Sequence, residues 1–128
     1  IIVPYRNQIS TVRNAIDRRI EESGLPETLH DIPIDTVERY QGSQRDLLIY
    51  GFTIKKYYQL SFLTDNEYYD ETEDATIDRK LNVAMTRARK HLVMVGNAQL
   101  LSNDFTFKRL IEYTKEEKCF FTAQNIQE

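Results

Sequence analysis

Residues Asp78–Asn97, DRKLNVAMTRARKHLVMVGN, decide how the rest of this chain is read. The first half has helical spacing, with Leu81, Ala84, Met85 and Ala88 on one face. Asp78 is a residue type that caps helix N-termini, and the two alanines are small enough to let a helix lie close on a sheet. The second half, His91–Val95, is a continuous apolar run of the kind a strand covered on both faces requires, stopped by Gly96 and Asn97. The pattern predicts a helix from Asp78 through Arg89 that turns abruptly into a buried strand. Arg87 follows Leu81 by six residues, about 240° round at ~100° per residue. It is therefore expected off the buried face, near Lys80 and Val83, with Arg89 at the same helix end.

Working outward, the same alternation recurs. Ile1–Val3 is an apolar strand ended by Pro4. Asn7 is a candidate cap for a helix whose stripe is Ile9, Val12, Ile16 and Ile20. Gly24 suits the left-handed residue after that helix, and Pro26 prevents its continuation. Ile34–Val37 reads as a short strand with Thr36 near its end. Glu38–Asp46 is polar and turns on Gly42, and Leu47–Tyr50 is again β-prone. Asp104 is a candidate cap for a last helix carrying Phe107, Leu110 and Ile111, and Phe120–Glu128 reads as a tail or an edge strand. The order β-α-β-β-insertion-α-β-α predicts an α/β fold: a three-layer, mainly parallel sheet with helices on both faces. Right-handed crossovers would line up the loops Pro4–Asn7, Thr36–Gln44 and Gly96–Leu101 along one edge.

Between these elements lies an acidic insertion at about residues 55–78. Residues 57–78 hold Asp65, Glu67, Asp70, Glu71, Glu73, Asp74 and Asp78 and no basic residue, whereas the whole chain carries a net charge of −3. The remainder is thus net positive, which leaves room for a local basic site but not for indiscriminate nucleic-acid binding. The insertion is expected to be irregular, with a short strand near Gln59–Leu63. Its tyrosines, Tyr57, Tyr58, Tyr68 and Tyr69, are expected to pack partly; the rival reading is a base-stacking platform, opposed by the neighbouring carboxylates. A chain of 128 residues is read as one domain. The single cysteine, Cys119, is expected to be a small buried apolar residue. With His30 and His91 far apart, a zinc site is not expected. No apolar run nears the ~20 residues of a membrane span, and no signal peptide is read at the start. A cytoplasmic setting is expected. The chain opens inside a strand without a methionine, so a fragment of a longer protein is expected.

The phosphate motifs are missing. None of the glycines forms GxxxxGK followed by Ser or Thr, nor GxGxxG, and no strand ends in an Asp-Glu pair fit for Mg²⁺. There is no nucleophile elbow. What remains is a pair of arginines at a helix end and a Gln-Gly-Ser-Gln-Arg-Asp loop. A guanidinium at a helix C-terminus can serve the helix dipole or grip a phosphate through its fork. Spacing leaves both readings open.

Three stretches carry a family resemblance. Arg79–Arg89, RKLNVAMTRAR, followed by Val95-Gly96-Asn97, resembles motif VI of superfamily 1 helicases, nearest to the branch of the nonsense-mediated-decay RNA helicase and senataxin. Thr36–Asp46, TVERYQGSQRD, resembles their motif V, and Ile2–Gln8, IVPYRNQ, the element ahead of it. The three occur in family order over residues 1–101. The resemblance implies that residues 1–128 form the second RecA-like domain of an ATP-dependent DNA or RNA helicase. ATP and Mg²⁺ would be held mainly by an N-terminal RecA-like domain of the same chain, which carries the P-loop, so residues 1–128 alone are expected not to hydrolyse ATP. It implies Arg87 as a catalytic arginine finger; Gln41, Gly42 and Gln44, with Arg87, on the nucleotide side; and Pro4, Tyr5, Gln8 and Thr36 on single-stranded nucleic acid. Gln44 stands where the family carries Glu, and Val3 where it carries Thr. With the acidic insertion, Gln44 motivates the alternative reading of a catalytically inactive helicase-like scaffold.

Overall fold

The computed structural model describes residues 1–40, 44–64, 67–70 and 75–127. Helix α1 spans Asn7–Ser23. It begins at Asn7 rather than being capped by it: Arg6 is the N-cap and makes no side-chain capping bond. Its other end is as the sequence suggests. Gly24, at φ 62°, takes the left-handed position, and its N–H donates to the Ile20 carbonyl.

Strand β1 (Arg45–Phe52) follows. The acidic insertion is more regular than expected. Where a strand was predicted near Gln59–Leu63, the chain forms a 3₁₀ turn at Tyr57–Gln59 and helix α2 (Leu60–Thr64). Leu60 and Leu63 recur at helical spacing and are both buried, so the period is 3.6 and not 2. Strands β2 (Glu67–Asp70) and β3 (Ala75–Asp78) pair antiparallel. Helix α3 covers Arg79–Arg87 and passes straight into strand β4 (Ala88–Gly96), so the helix stops two residues before Arg89. The ladder captures Ala88 and Arg89 for the strand. Helices α4 (Ala98–Leu101), α5 (Phe105–Glu116) and α6 (Ala123–Gln127) complete the chain. Asp104 caps α5 as predicted, accepting from the Phe107 N–H at 3.0 Å. The C-terminal tail carries α6 where a tail or edge strand was expected.

β1 and β4 form a parallel ladder from Arg45↔Ala88 to Phe52↔Gly96. Ile2 bridges in parallel to both Tyr50 and Asp35. Four extended segments thus lie side by side in the order 35, 2, β1, β4, all pointing one way. The register puts Leu48, Tyr50, Leu92 and Met94 on one face. That face receives Leu81 and Ala84 of α3, Leu101 of α4 and Phe107 of α5. Tyr50 stacks on Phe52 with ring centroids 4.2 Å apart, and Phe107 meets Phe52 edge-on at 5.1 Å. Gly96 permits this closeness: a Cβ there would come within 3.0 Å of Leu101 and 3.1 Å of Phe52. Val3, Ile20 and Ile34 are buried outside this cluster. Leu47, Val93 and Val95, on the alternate positions of β1 and β4, stay open to solvent. Several expectations fail on burial: His91, Val93 and Val95 are exposed, so β4 is not covered on both faces as its apolar run suggested, and Tyr57 and Tyr58 stand out in solvent. Met85 is exposed, because α3 turns Leu81 and Ala84 to the core and packs Val83 against it in place of Met85. Cys119 is exposed as well, its thiol held by the Thr114 carbonyl beyond the end of α5.

α1 is tied to the segment that follows it. Arg13 donates to the carbonyls of His30 and Ile32. His30 Nδ1 lies 2.7 Å from an Asp17 carboxylate oxygen, and its Nε2 lies 3.2 Å from Glu27. The hydrogen bond to Asp17 raises the His30 pKa above its ordinary value; desolvation opposes this, and the charges of Asp17, Glu27 and Glu21 add to it. A raised folded-state pKa contributes stability that is fully present below the unfolded value of ~6.5 and is lost as pH rises through the folded value. The melting temperature should therefore fall slightly between about pH 6 and pH 8, and Asp17→Asn should flatten that slope in a thermal-denaturation series.

Candidate functional site

The ladder register separates two groups of polar residues. Arg45 pairs with Ala88, so Gln44, just before β1, and Arg87, just before β4, meet at the edge where both strands begin. Thr36 and Pro4 each follow a parallel segment level with Tyr50. They therefore lie near the opposite edge, about 20 Å further along at ~3.3 Å per residue. Gln41 and Gly42 lie outside the described residues.

At the first edge the two arginines of α3 and β4 part company. Arg89 Nε sits 3.0 Å from Asp46, and Lys90 approaches the other oxygen of the same carboxylate at 3.8 Å. Both partners are more than half exposed, so the pair adds little stability. It does occupy Asp46. Arg87 is not simply directed into solvent, as helical spacing suggested. It is half-buried, and its Nε is wholly buried without a hydrogen-bond partner among the described residues. An N–H donor buried and unpaired costs about 1–3 kcal/mol, and such groups in a native fold call for an acceptor from elsewhere. The C-terminus of α3 favours a cation there through its dipole, but no acceptor reaches Nε.

At the second edge, Pro4, Tyr5, Arg6, Thr36, Glu38 and Arg39 line an open groove of about 400 Å³. Thr36 is 6% exposed, and its N–H is held by the Asp35 carboxylate at 2.9 Å. The groove thus brings together Pro4, Tyr5 and Thr36, three of the residues the motifs single out. Gln8 belongs to the same turn but its amide is engaged. Its Oε1 accepts from the Tyr5 N–H at 3.4 Å and from the Thr53 hydroxyl, while its Nε2 donates to the Thr53 carbonyl at 3.3 Å. Gln8 therefore ties the start of α1 to the end of β1. Arg6 and Arg39 enter the groove without being motif positions. Their signal in the sequence is a basic residue close behind Tyr5 and Thr36, and Arg39 keeps its charge near solvent, 3.7 Å from Asp35.

The two edges are mechanically joined. The chain between Thr36 and β1 starts with a 3₁₀ turn at Val37–Tyr40, and α3, which ends in Arg87, packs against that turn. Val37 is buried in the shared core. The turn that follows Thr36 and the helix that carries Arg87 are thus in direct contact. Among the described residues no three His, Cys, Asp or Glu side chains gather as a metal site, and no helix is long and apolar enough to cross a membrane.

A parallel α/β domain with polar loops gathered at both ends of its strands is the class that this geometry defines. The family model described as "AAA domain" matches residues 1–99. Over 120 residues the chain is 30% identical to "Putative helicase mov-10-B.1" of Danio rerio, covering 94% of this chain and 11% of that protein. It is 31% identical over 114 residues to "Helicase sen1" of Schizosaccharomyces pombe, covering 88% and 6%. It is 33% identical over 120 residues to "Regulator of nonsense transcripts 1" of Dictyostelium discoideum, covering 91% and 8%. The chain belongs to this AAA domain family, in the superfamily 1 helicase branch that also holds these relatives.

If Arg87 serves an absent acceptor and not the fold, removing its charge should leave stability intact. Arg87→Met, which keeps the stem and deletes the unpaired donor, should unfold in urea within about 0.5 kcal/mol of wild type or above it. A loss beyond about 1 kcal/mol would show that the guanidinium holds the fold.

Proposed function

We propose that this chain is the second RecA-like motor domain of an ATP-dependent superfamily 1 helicase. In this reading its parallel sheet is the centre of a three-layer fold, with α1 on one face and α3 and α5 on the other. Residues 1–128 would work against a first RecA-like domain that carries the P-loop and the Mg²⁺ site. The chain corresponds to a small part of each relative, which fits a domain of a larger motor.

The observation that carries the proposal is the Arg87 guanidinium, with a buried, unpaired Nε–H at the edge it shares with Gln44. A γ-phosphate is the kind of acceptor such a donor lacks. Delivered across a domain interface, a guanidinium stabilises the charge that develops on the transferring phosphoryl group, an effect worth about 10³–10⁵ in rate. Because the finger and the P-loop would sit on different domains, hydrolysis would require closure, and closure is the step that moves a strand. Gln41, Gly42 and Gln44 form the rest of the nucleotide side, with the Gln44 amide in place of a carboxylate as acceptor for a ribose hydroxyl.

Single-stranded DNA or RNA is assigned to the opposite edge. Thr36 and the turn at Pro4 and Tyr5 would hold backbone phosphates, with Gln8 fixing the turn. Backbone contacts of this kind position a strand without reading its sequence. The packing of α3 on the Val37–Tyr40 turn would link the two edges. A reducing, cytoplasmic setting is part of the same proposal, supported by a single cysteine that has no partner within the chain.

In the full-length protein, Arg87→Ala should lower strand-stimulated ATPase by about tenfold or more while leaving single-strand affinity nearly intact. Wild-type turnover in that variant would refute the finger, whereas no strand-stimulated ATPase in the wild-type protein would favour the inactive-scaffold alternative. Thr36→Ala should do the reverse, weakening single-strand binding with a smaller effect on unstimulated hydrolysis; equal affinity in a fluorescence-anisotropy titration would remove Thr36 from the strand side.

A further inference from the structure

We propose that Tyr57 and Tyr58 form a base-stacking step that prolongs the single-strand groove across the C-terminal edge of the sheet. The inference rests on the strand-side reading above and adds a ligand subsite to it: the unpaired bases of single-stranded nucleic acid, beyond the backbone phosphates.

The starting observation is exposure. Tyr57 and Tyr58 are 68% and 74% exposed, above every other outward-facing large apolar or aromatic side chain among the described residues. They do not pack as the sequence suggested. Covering such rings removes apolar surface from water, which favours binding.

They are also held in place. The Gln59 Oε1 accepts from the N–H groups of both Lys55 and Lys56, at 2.8 and 3.0 Å, and the Gln59 N–H donates to the Lys56 carbonyl at 3.0 Å. Leu60, directly after the turn, is buried in the core. Ser61 closes back on the Tyr58 carbonyl at 2.9 Å. Two rings on a turn braced in this way lose little freedom when a base covers them, which favours binding.

Position supplies the third argument. Tyr57, Tyr58, Leu60, Ser61, Asn103 and Asp104 line a second open groove of about 420 Å³. Its walls follow the C-terminal ends of β1 and β4, whereas the first groove follows the segments at 2 and 35. In the sheet order 35, 2, β1, β4 the two grooves are consecutive, and end to end they span about three interstrand steps of ~4.8 Å. The Gln8–Thr53 bonds tie the turn that carries Tyr5 to the chain just after β1. Tyr5 in the first groove is close enough to Tyr58 for their charges to interact: burial raises the Tyr5 pKa, and Tyr58 raises it further.

Charge fits a nucleic acid better than an apolar peptide. Lys55 and Lys56 precede the rings and are both exposed, placing cations where a backbone would run. The Asp104 carboxylate in the groove is already engaged, accepting from the Phe107 N–H. Leu60 is the groove's only aliphatic wall residue and is itself buried, so a protein partner would find flat rings and polar rims but no pocket for an anchoring side chain. Flat faces with flanking cations are what unpaired bases need, and every base can use them.

The test uses the full-length protein, with labelled single-stranded DNA and RNA oligomers of about 12 nucleotides, within the ~4–16 nucleotides that such surfaces span, and abasic counterparts of each. Tyr57→Ala/Tyr58→Ala should weaken binding of base-bearing oligomers by about tenfold or more and leave abasic binding unchanged. Tyr57→Phe/Tyr58→Phe, which keeps the rings, should bind like wild type. The DNA and RNA arms tell which strand is the better ligand. Wild-type affinity in the double alanine variant, with Thr36→Ala still weakening binding, would overturn the stacking step and leave the strand groove standing. An equal loss on abasic oligomers would also overturn it. If the wild-type protein bound neither DNA nor RNA, the strand-side reading and this inference would fall together.

Discussion

The parallel ladder between β1 and β4 is the constraint on which the remaining structure depends. Its register, from Arg45↔Ala88 to Phe52↔Gly96, does two things at once. It gathers Leu48, Tyr50, Leu92 and Met94 on one face, where α3, α4 and α5 bury them. It also fixes which residues stand at each end of the strands. A slip of one residue would turn the apolar set away from the helices and would separate Gln44 from Arg87. The register shifts between Arg45 and Leu47, so the pair at the site end is offset from the run that sets the core, and the same ladder carries both.

Two arginines two positions apart meet different fates for a local reason. Arg89 already lies in the strand, where it reaches Asp46 at the start of β1. Arg87 is the last residue of α3 and keeps a buried Nε–H that nothing among the described residues satisfies. A surface ion pair adds little to stability, but here it takes Asp46, a carboxylate at the same strand end, for Arg89. The opposite edge shows the contrary arrangement: Gln8 spends its amide on Thr53 and the Tyr5 N–H, which stiffens the turn beside Thr36. An uncommitted donor on one side and a braced turn on the other, linked by α3 on the Val37–Tyr40 turn, suit a domain whose two ends respond to each other.

The acidic insertion marks where pattern reading works least well. Seven acids and four tyrosines mask the helical period at Leu60 and Leu63, because the charge has no period of its own. Burial of those two leucines makes α2, and α2 in turn holds the 3₁₀ turn that presents Tyr57 and Tyr58. Met85 and Cys119 teach the complementary lesson. Both are apolar by type, yet each ends up exposed, since a helix can offer only the residues that its neighbour has room to cover.

By itself the sequence determined the main helices and strands outside the insertion, the apolar stripe of α1, the Leu81 and Ala84 part of the α3 face, the Gly24 and Asp104 caps, and the three motifs that mark the family. Each is a local property: side-chain shape, backbone freedom or spacing along one element. It also marked Arg87, Gln44, Pro4, Tyr5, Gln8 and Thr36, but not how they stand to one another. Tertiary structure decided that Gln44 and Arg87 share one edge, that Pro4, Tyr5 and Thr36 share a groove at the other, that Gln8 is engaged, and that Arg87 has a buried, unpaired donor. These depend on which strands pair and in what register. Pairing is a long-range choice among many compatible ladders, so no window along the chain contains it.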